Sequence, residues 1–332
     1  MKKYAIISIF ITIIFVLAAS PVFSQEENYT IGDLNAGADA FSSAIAKALP
    51  FYSTLGLNWS DAYIGQLLDV PPKFGVGLSF GAISMPAGSL NDLAKVLNFN
   101  LPSIKIGFPL PAYALEARVG GIFLPFDIGL KYGIVPENQL LDELLDFVNI
   151  RYQLMGADIR YAIITSKVMP IRLSVGLGFN RLEGGISKTL NMGQAFDFGI
   201  NTLEVTDPNV GLLWETNTIE IKAQVSFPLV LITPYAGLGV SHAWSKAGYQ
   251  VKSEVLVDGD PVTAEYIQEL RELGLTGISG SGFERVIEST ALNARLFGGI
   301  SFNLLFIKLD LTAMYNVMDS SIGGSFGVRF QL

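Results

Sequence analysis

Beyond residue 74 the chain is built from segments in which apolar residues alternate one for one with polar or small ones. Phe126, Ile128, Leu130, Tyr132 and Ile134 stand against Asp127, Gly129, Lys131 and Gly133. Ile171, Leu173, Val175, Leu177 and Phe179 stand against Arg172, Ser174, Gly176, Gly178 and Asn180. A period of two marks a strand whose two faces meet different surroundings. Ten such segments recur, near 74–83, 112–120, 126–134, 152–164, 171–180, 216–227, 234–245, 290–302, 306–317 and 325–332. Each is close to the ~9–11 residues that a tilted strand needs to cross a bilayer. An even number returns both chain ends to one side of the membrane.

Composition points the same way. Charged residues make up 16% of the 332 and mean hydropathy is +0.43, whereas soluble domains carry about 25% charge. After residue 24 no uninterrupted apolar run reaches about 18 residues, so the sequence offers no spanning helix there. A hydrophobic chain can then occupy a membrane by closing a cylinder in which every backbone donor and acceptor pairs between strands. The predicted fold is all-β: an antiparallel up-and-down transmembrane β-barrel of about ten strands, with eight and twelve as the alternatives. The connectors fit. Links at Gly121–Pro125, Thr165–Pro170, Pro228–Thr233 and Asn303–Leu305 are short. Those at 84–111, 135–151, 181–215 and 246–289 are long, and only the last outward link, 318–323, breaks the rule. Short inner turns and long outer loops are what barrels show. Ser103–Phe108 and Phe196–Ile200 also alternate but read as loop structure or as strands extending above the membrane, the first cut off by Pro109 and Pro111. Leu90–Phe99, Leu140–Val148 and Thr263–Leu273 have helical spacing and read as caps on the long links.

The two ends add direction. Lys2 and Lys3, the apolar run Tyr4–Ala19, and Val22 and Ser24 before Gln25 make residues 1–24 an expected cleavable signal peptide. Removing its two lysines takes the formal charge from −8 to −10, which argues against nucleic acid or anionic lipid as partners. Zero cysteines exclude disulfides and thiolate metal sites. Residues 25–73 form a separate helical segment, with one helix expected at Leu34–Leu49 and a short second one at Asp61–Leu68, either plugging the barrel or lying in the periplasm. The barrel itself is expected over 74–332. At the carboxyl end Phe326, Val328, Phe330 and Leu332 face one way, and Ser325, Gly327, Arg329 and Gln331 the other. That spacing, with Gly327, Phe330 and Leu332 as its fixed points, resembles the C-terminal assembly signal of bacterial outer-membrane β-barrels. The resemblance implies a place in the bacterial cell outer membrane, with outer-membrane lipid and the barrel-assembly machinery as partners. The pre-barrel segment is similar in architecture to the hatch of the long-chain fatty-acid transporter family, whose barrels have more strands.

The polar faces of the strands define candidate lumen-lining residues: Glu116, Arg118, Asp127, Lys131, Asp158, Arg160, Arg172, Glu220, Lys222, Arg295, Lys308, Asp310 and Arg329. Five acids against eight bases leave a surplus of three positive charges. This fits either a salt-bridged filling, since buried charges need partners, or a path that favours anionic and polar solutes. Glycines on the same faces, among them Gly75, Gly81, Gly129 and Gly237, make room inside a narrow barrel. That room predicts the N-terminal helix as a plug.

Catalysis finds little support. His242, the one histidine, falls on the outward face, and the residue two before it is Val240, where omptin-family barrel proteases carry an Asp-x-His pair. No cofactor or metal site is expected. The expected function is a narrow or plugged channel for small or hydrophobic molecules. A structural or surface-interaction protein without transport is the alternative, and an integral hydrolase comes third. A wide porin is excluded on strand number.

Overall fold

The computed structural model describes residues 31–85, 108–134, 149–165, 170–189, 194–197, 202–257, 260–261, 263–272, 278–279 and 282–332. The expected signal peptide and the helix-like stretches Leu90–Phe99 and Leu140–Val148 lie outside them. Ten long strands form the wall: β1 (Phe74–Met85), β2 (Phe108–Gly120), β3 (Phe126–Ile134), β4 (Asn149–Thr165), β5 (Arg172–Thr189), β6 (Thr202–Ser226), β7 (Ile232–Val257), β8 (Gly282–Leu304), β9 (Ile307–Asn316) and β10 (Ile322–Gln331). Each pairs antiparallel with the next, and β10 returns to β1 with Val76 opposite Phe330 and Gly81 opposite Ser325. The cylinder is therefore closed and leaves no sheet edge at the seam. The outward residues of its lower part, such as Leu115, Leu130, Ile159, Leu177, Ile221 and Leu238, are apolar and exposed. That surface suits lipid.

Among the described residues two helices accompany the wall. Helix α1 (Ile31–Ser53) is longer than the expected 34–49 and runs through Pro50, and α2 (Ala264–Glu272) falls where Thr263–Leu273 had helical spacing. The second helix expected at Asp61–Leu68 is absent: residues 54–73 form turns and irregular chain. Gly56 and Gly65 hold positive φ there, +85° and +114°, a conformation that suits glycine.

Strands β5–β8 are 18 to 26 residues long, well beyond the ~9–11 needed to cross a bilayer. Much of what reads in sequence as long loops, 181–215 and 246–289, is therefore wall standing above the membrane. Gln194–Asp197 pairs with residues 202–205 of β6 and extends this collar, so the alternation at Phe196 marks a strand. The alternation changes sense in the collar. Glu183, Glu215, Lys246 and Glu288 lie in one paired row across β5–β8 on the outer face, while Leu182 and Ala247 are buried on the inner one.

Pro109 and Pro111 lie inside β2 instead of ending it. Among the described residues pairing between β2 and β3 begins at Leu115, and residues 108–114 pair with β1 alone. Proline is tolerated where a strand is paired on one side. Two tyrosines bind this stretch of β2 from other elements. Tyr52 of α1 donates its hydroxyl hydrogen to the Pro111 carbonyl, and Tyr152 of β4 donates to the Tyr113 carbonyl at 3.0 Å.

Candidate functional site: a filled lumen

Residues 42–64 run down the inside of the barrel, and the wall changes character along their path. In the upper part Ile45, Ala46, Leu49, Phe51 and Tyr52 of α1 are buried in one core with Leu154, Leu182 and Ala247 of the wall, with Leu212 and Trp214 beside them. Below, residues 54–64 meet the charged side chains.

The helix ends in contact with the wall. Thr54 N donates to Phe51 O and Leu55 N to Tyr52 O, tightening the last turn. Ser53 Oγ lies 3.2 Å from Thr218 Oγ1 of β6. Lys131 Nζ, from β3, donates to the carbonyls of Ser53 and Leu55 at 2.7 and 2.6 Å. A cation at a helix C-terminus also complements the helix dipole.

The irregular chain that follows is held carbonyl by carbonyl. Lys222 donates to Leu57 O at 3.4 Å, and Gln224 to Trp59 O and Ser60 O at 2.7 and 3.2 Å. Arg160 donates to Asp61 O at 2.8 Å and Arg172 to Tyr63 O at 2.7 Å. In the other direction, Ala62 N donates to Ser226 Oγ and Ile64 N to Asp127 Oδ2. The Trp59 indole donates to Glu116, with the Arg329 and Arg118 guanidiniums 4.6 and 5.7 Å from its ring. It rests over Gly75, where a β-carbon would sit 2.9 Å from the indole. This is the close approach for which a glycine on the inner wall is required.

The charges pair among themselves and with the plug. Arg118 bridges Asp127 and Asp158, Arg160 joins Asp127 at 2.8 Å, and Lys222 reaches Asp158 at 2.6 Å. Arg295 holds Glu220 at 2.5 Å and also donates to Asn58 Oδ1. Arg329 meets Asp310 at 2.7 Å. Asp61, from the plug, takes Lys308 at 2.6 Å, Arg329 at 3.1 Å and Arg172 at 3.5 Å.

All thirteen sequence-chosen residues thus point inward. Eleven are buried, and Arg172 and Lys308 are half-buried beside Asp61. Their surplus of positive charge is taken up by the Asp61 carboxylate and by plug carbonyls. Sequence reasoning missed the plug side of the site. Asp61 falls in the short second helix expected from sequence, and Asn58, Trp59 and Ser60 carry no sequence signal for a place in the lumen. Gln224 could be placed on the inner face by alternation, but nothing in the sequence gave it a partner.

His242 lies on the outer face between Ile219 and Leu292, its ring edge-on to Trp244 with centroids 4.6 Å apart. Among the described residues no cluster of three or more histidine and carboxylate side chains could hold a metal.

No protein-family model and no curated protein matches the sequence. Among solved structures the chain is similar to the translocator domain of autotransporter NalP from Neisseria meningitidis, at 9% identity and TM-score 0.38, covering 90% of this chain and 98% of that one. It is similar to the outer membrane protease OmpT from Escherichia coli at 7% identity and TM-score 0.35, covering 79% and 97%. It is similar also to Ail, the attachment invasion locus protein of Yersinia pestis, at 9% identity and TM-score 0.29, covering 78% and 97%. At such values none of them lends this chain an activity. By its own architecture the chain is a closed ten-stranded outer-membrane-type β-barrel.

Proposed function

We propose that this protein is an outer-membrane barrel shut by its own N-terminal segment, serving as a surface platform without transport or catalysis. The observation that carries this is the burial of residues 42–64 in the lumen, with Lys131, Arg160, Arg172, Lys222, Gln224 and Arg295 all engaged by the plug. A solute path lined by free cations is not what such a filling provides. The tall collar of β5–β8 gives the platform a large outer surface. The outward position of His242 supports the absence of hydrolysis. In this reading residues 1–24 direct export, and the barrel-assembly machinery recognises Gly327, Phe330 and Leu332.

Reconstitution in planar bilayers tests the reading. The intact protein is expected to give no current steps, whereas steady ohmic conductance from the folded barrel would overturn it. One observation favours a second reading, a plugged channel. Residues 54–64 are neither helix nor strand and are held by polar contacts that water can replace. Voltage- or solute-induced opening of an otherwise silent barrel would favour it.

A further inference from the structure

We infer that the plug threads the barrel with its amino end outward, so that Ile31, the start of α1, stands at the cell-surface side. The inference does not rest on the lumen being closed to solutes, since a conducting barrel could carry the same thread.

The polarity of the barrel comes first. The links between β2 and β3, β6 and β7, and β8 and β9 are short and sit at the end where β1 begins and β10 finishes. Short turns mark the periplasmic end of such barrels. The long links and the collar of β5–β8 therefore mark the outside. Residues 60–64 lie at the periplasmic end, beside Arg172, Lys308 and Arg329.

From there the chain, followed backwards, climbs. Ser53 is level with Thr218, which pairs with Ala243. Asp39 is bound in a two-pronged ion pair by Arg285, with Nε to Oδ1 and Nη2 to Oδ2 both 2.6 Å, and Arg285 pairs with Tyr249. Ala243 to Tyr249 is roughly 20 Å of strand, and Ser53 to Asp39 is roughly 21 Å of helix. The two paths agree, so α1 stands nearly along the strands. Arg285 also lies farther from the periplasmic end than the exposed Lys246–Glu288 pair, where charge first covers the outer face. Asp39 is therefore already above the lipid. Eight further helical residues, roughly 12 Å, carry Ile31 higher into the collar and away from the periplasm.

The consequence is functional. The barrel presents the amino end of α1 at the surface, and because α1 lies inside a closed wall, β1 and β10 must join around it.

The full-length protein with a short epitope inserted between Gln25 and Glu26 tests this in cells. Antibody binding to intact cells is expected to equal binding to cells with a permeabilised outer membrane. Detection only after permeabilisation would overturn the inference. In the same cysteine-free background, Asp39→Cys with Arg285→Cys is expected to be bridged in the folded barrel by a bifunctional maleimide that spans the length of the lost arginine side chain, a gap too wide for a direct disulfide. Failure to cross-link in a folded barrel would place the amino end elsewhere and likewise overturn it.

Discussion

The two halves of the lumen solve the same packing problem with opposite chemistry. Around α1 the wall is uncharged at its core, with Leu154, Leu182 and Ala247 packed in one cluster with Ile45, Leu49 and Phe51, and the hydroxyls of Thr216, Thr218 and Ser245 buried at the same level. Around residues 54–64 it is charged. The difference follows the backbone of the plug. A helix satisfies its own peptide groups, so an apolar wall costs it nothing in hydrogen bonding. Irregular chain does not, and each buried carbonyl left unmet costs about 1–3 kcal/mol. Lys131, Lys222, Gln224, Arg160 and Arg172 supply the missing donors. The lower wall is polar because the plug has unwound there.

That contrast can be broken from either side. Asp61→Ala should have the largest effect: it leaves Lys308, Arg329 and Arg172 without their shared carboxylate, and removing one partner of a buried ion pair costs about 3–5 kcal/mol. Urea unfolding in detergent micelles would read it. At the apolar positions of the upper half volume should decide. Leu49→Ala, at a side chain 1% exposed, should cost about 2–5 kcal/mol, and Leu49→Met under about 1.5 kcal/mol. Gln224→Leu keeps the volume but removes the donor to Trp59 O and Ser60 O; a loss of about 1–3 kcal/mol is expected.

The smallest effect belongs outside the lumen, at the exposed Lys246–Glu288 pair. A hydrogen bond from Lys246, and its charge, hold the Glu288 carboxyl below its ordinary value. A depressed carboxyl stabilises the fold above its unfolded value of about 4.3 and loses that contribution as pH falls below it. Lys246→Met should therefore leave stability at pH 7 almost unchanged and flatten its slight decline below about pH 4. Thermal melts across pH would detect any larger change.

The sequence carried the wall well where lipid lay on one side and polar contents on the other. β3 runs from Phe126 to Ile134 in both sequence and structure, because its alternation is complete over that length. It carried the collar poorly. Above the membrane the outer face turns polar at Glu183, Glu215, Lys246 and Glu288 while Leu182 and Ala247 turn inward. A search for apolar-outward strands stops where that inversion begins. Pro109 and Pro111 misled for a related reason: they break a strand paired on both sides, whereas β2 is paired on one side there.

The lumen residues were legible as a set because parity assigns their face. Their partners were not. Nothing local in Asn58-Trp59-Ser60-Asp61 says that its backbone will be met by residues more than a hundred and sixty positions away, such as Gln224. The excess of inward bases was the one visible trace of those missing acceptors.

The central claim is that residues 42–64 occupy the barrel, and one cross-link tests it directly. Ser53 Oγ and Thr218 Oγ1 lie 3.2 Å apart inside the wall, and the chain has no cysteine to interfere. Ser53→Cys with Thr218→Cys should form a disulfide in the folded, membrane-inserted protein, seen as a mobility shift that reductant reverses. A folded barrel in which both thiols stay free and reactive would contradict the account.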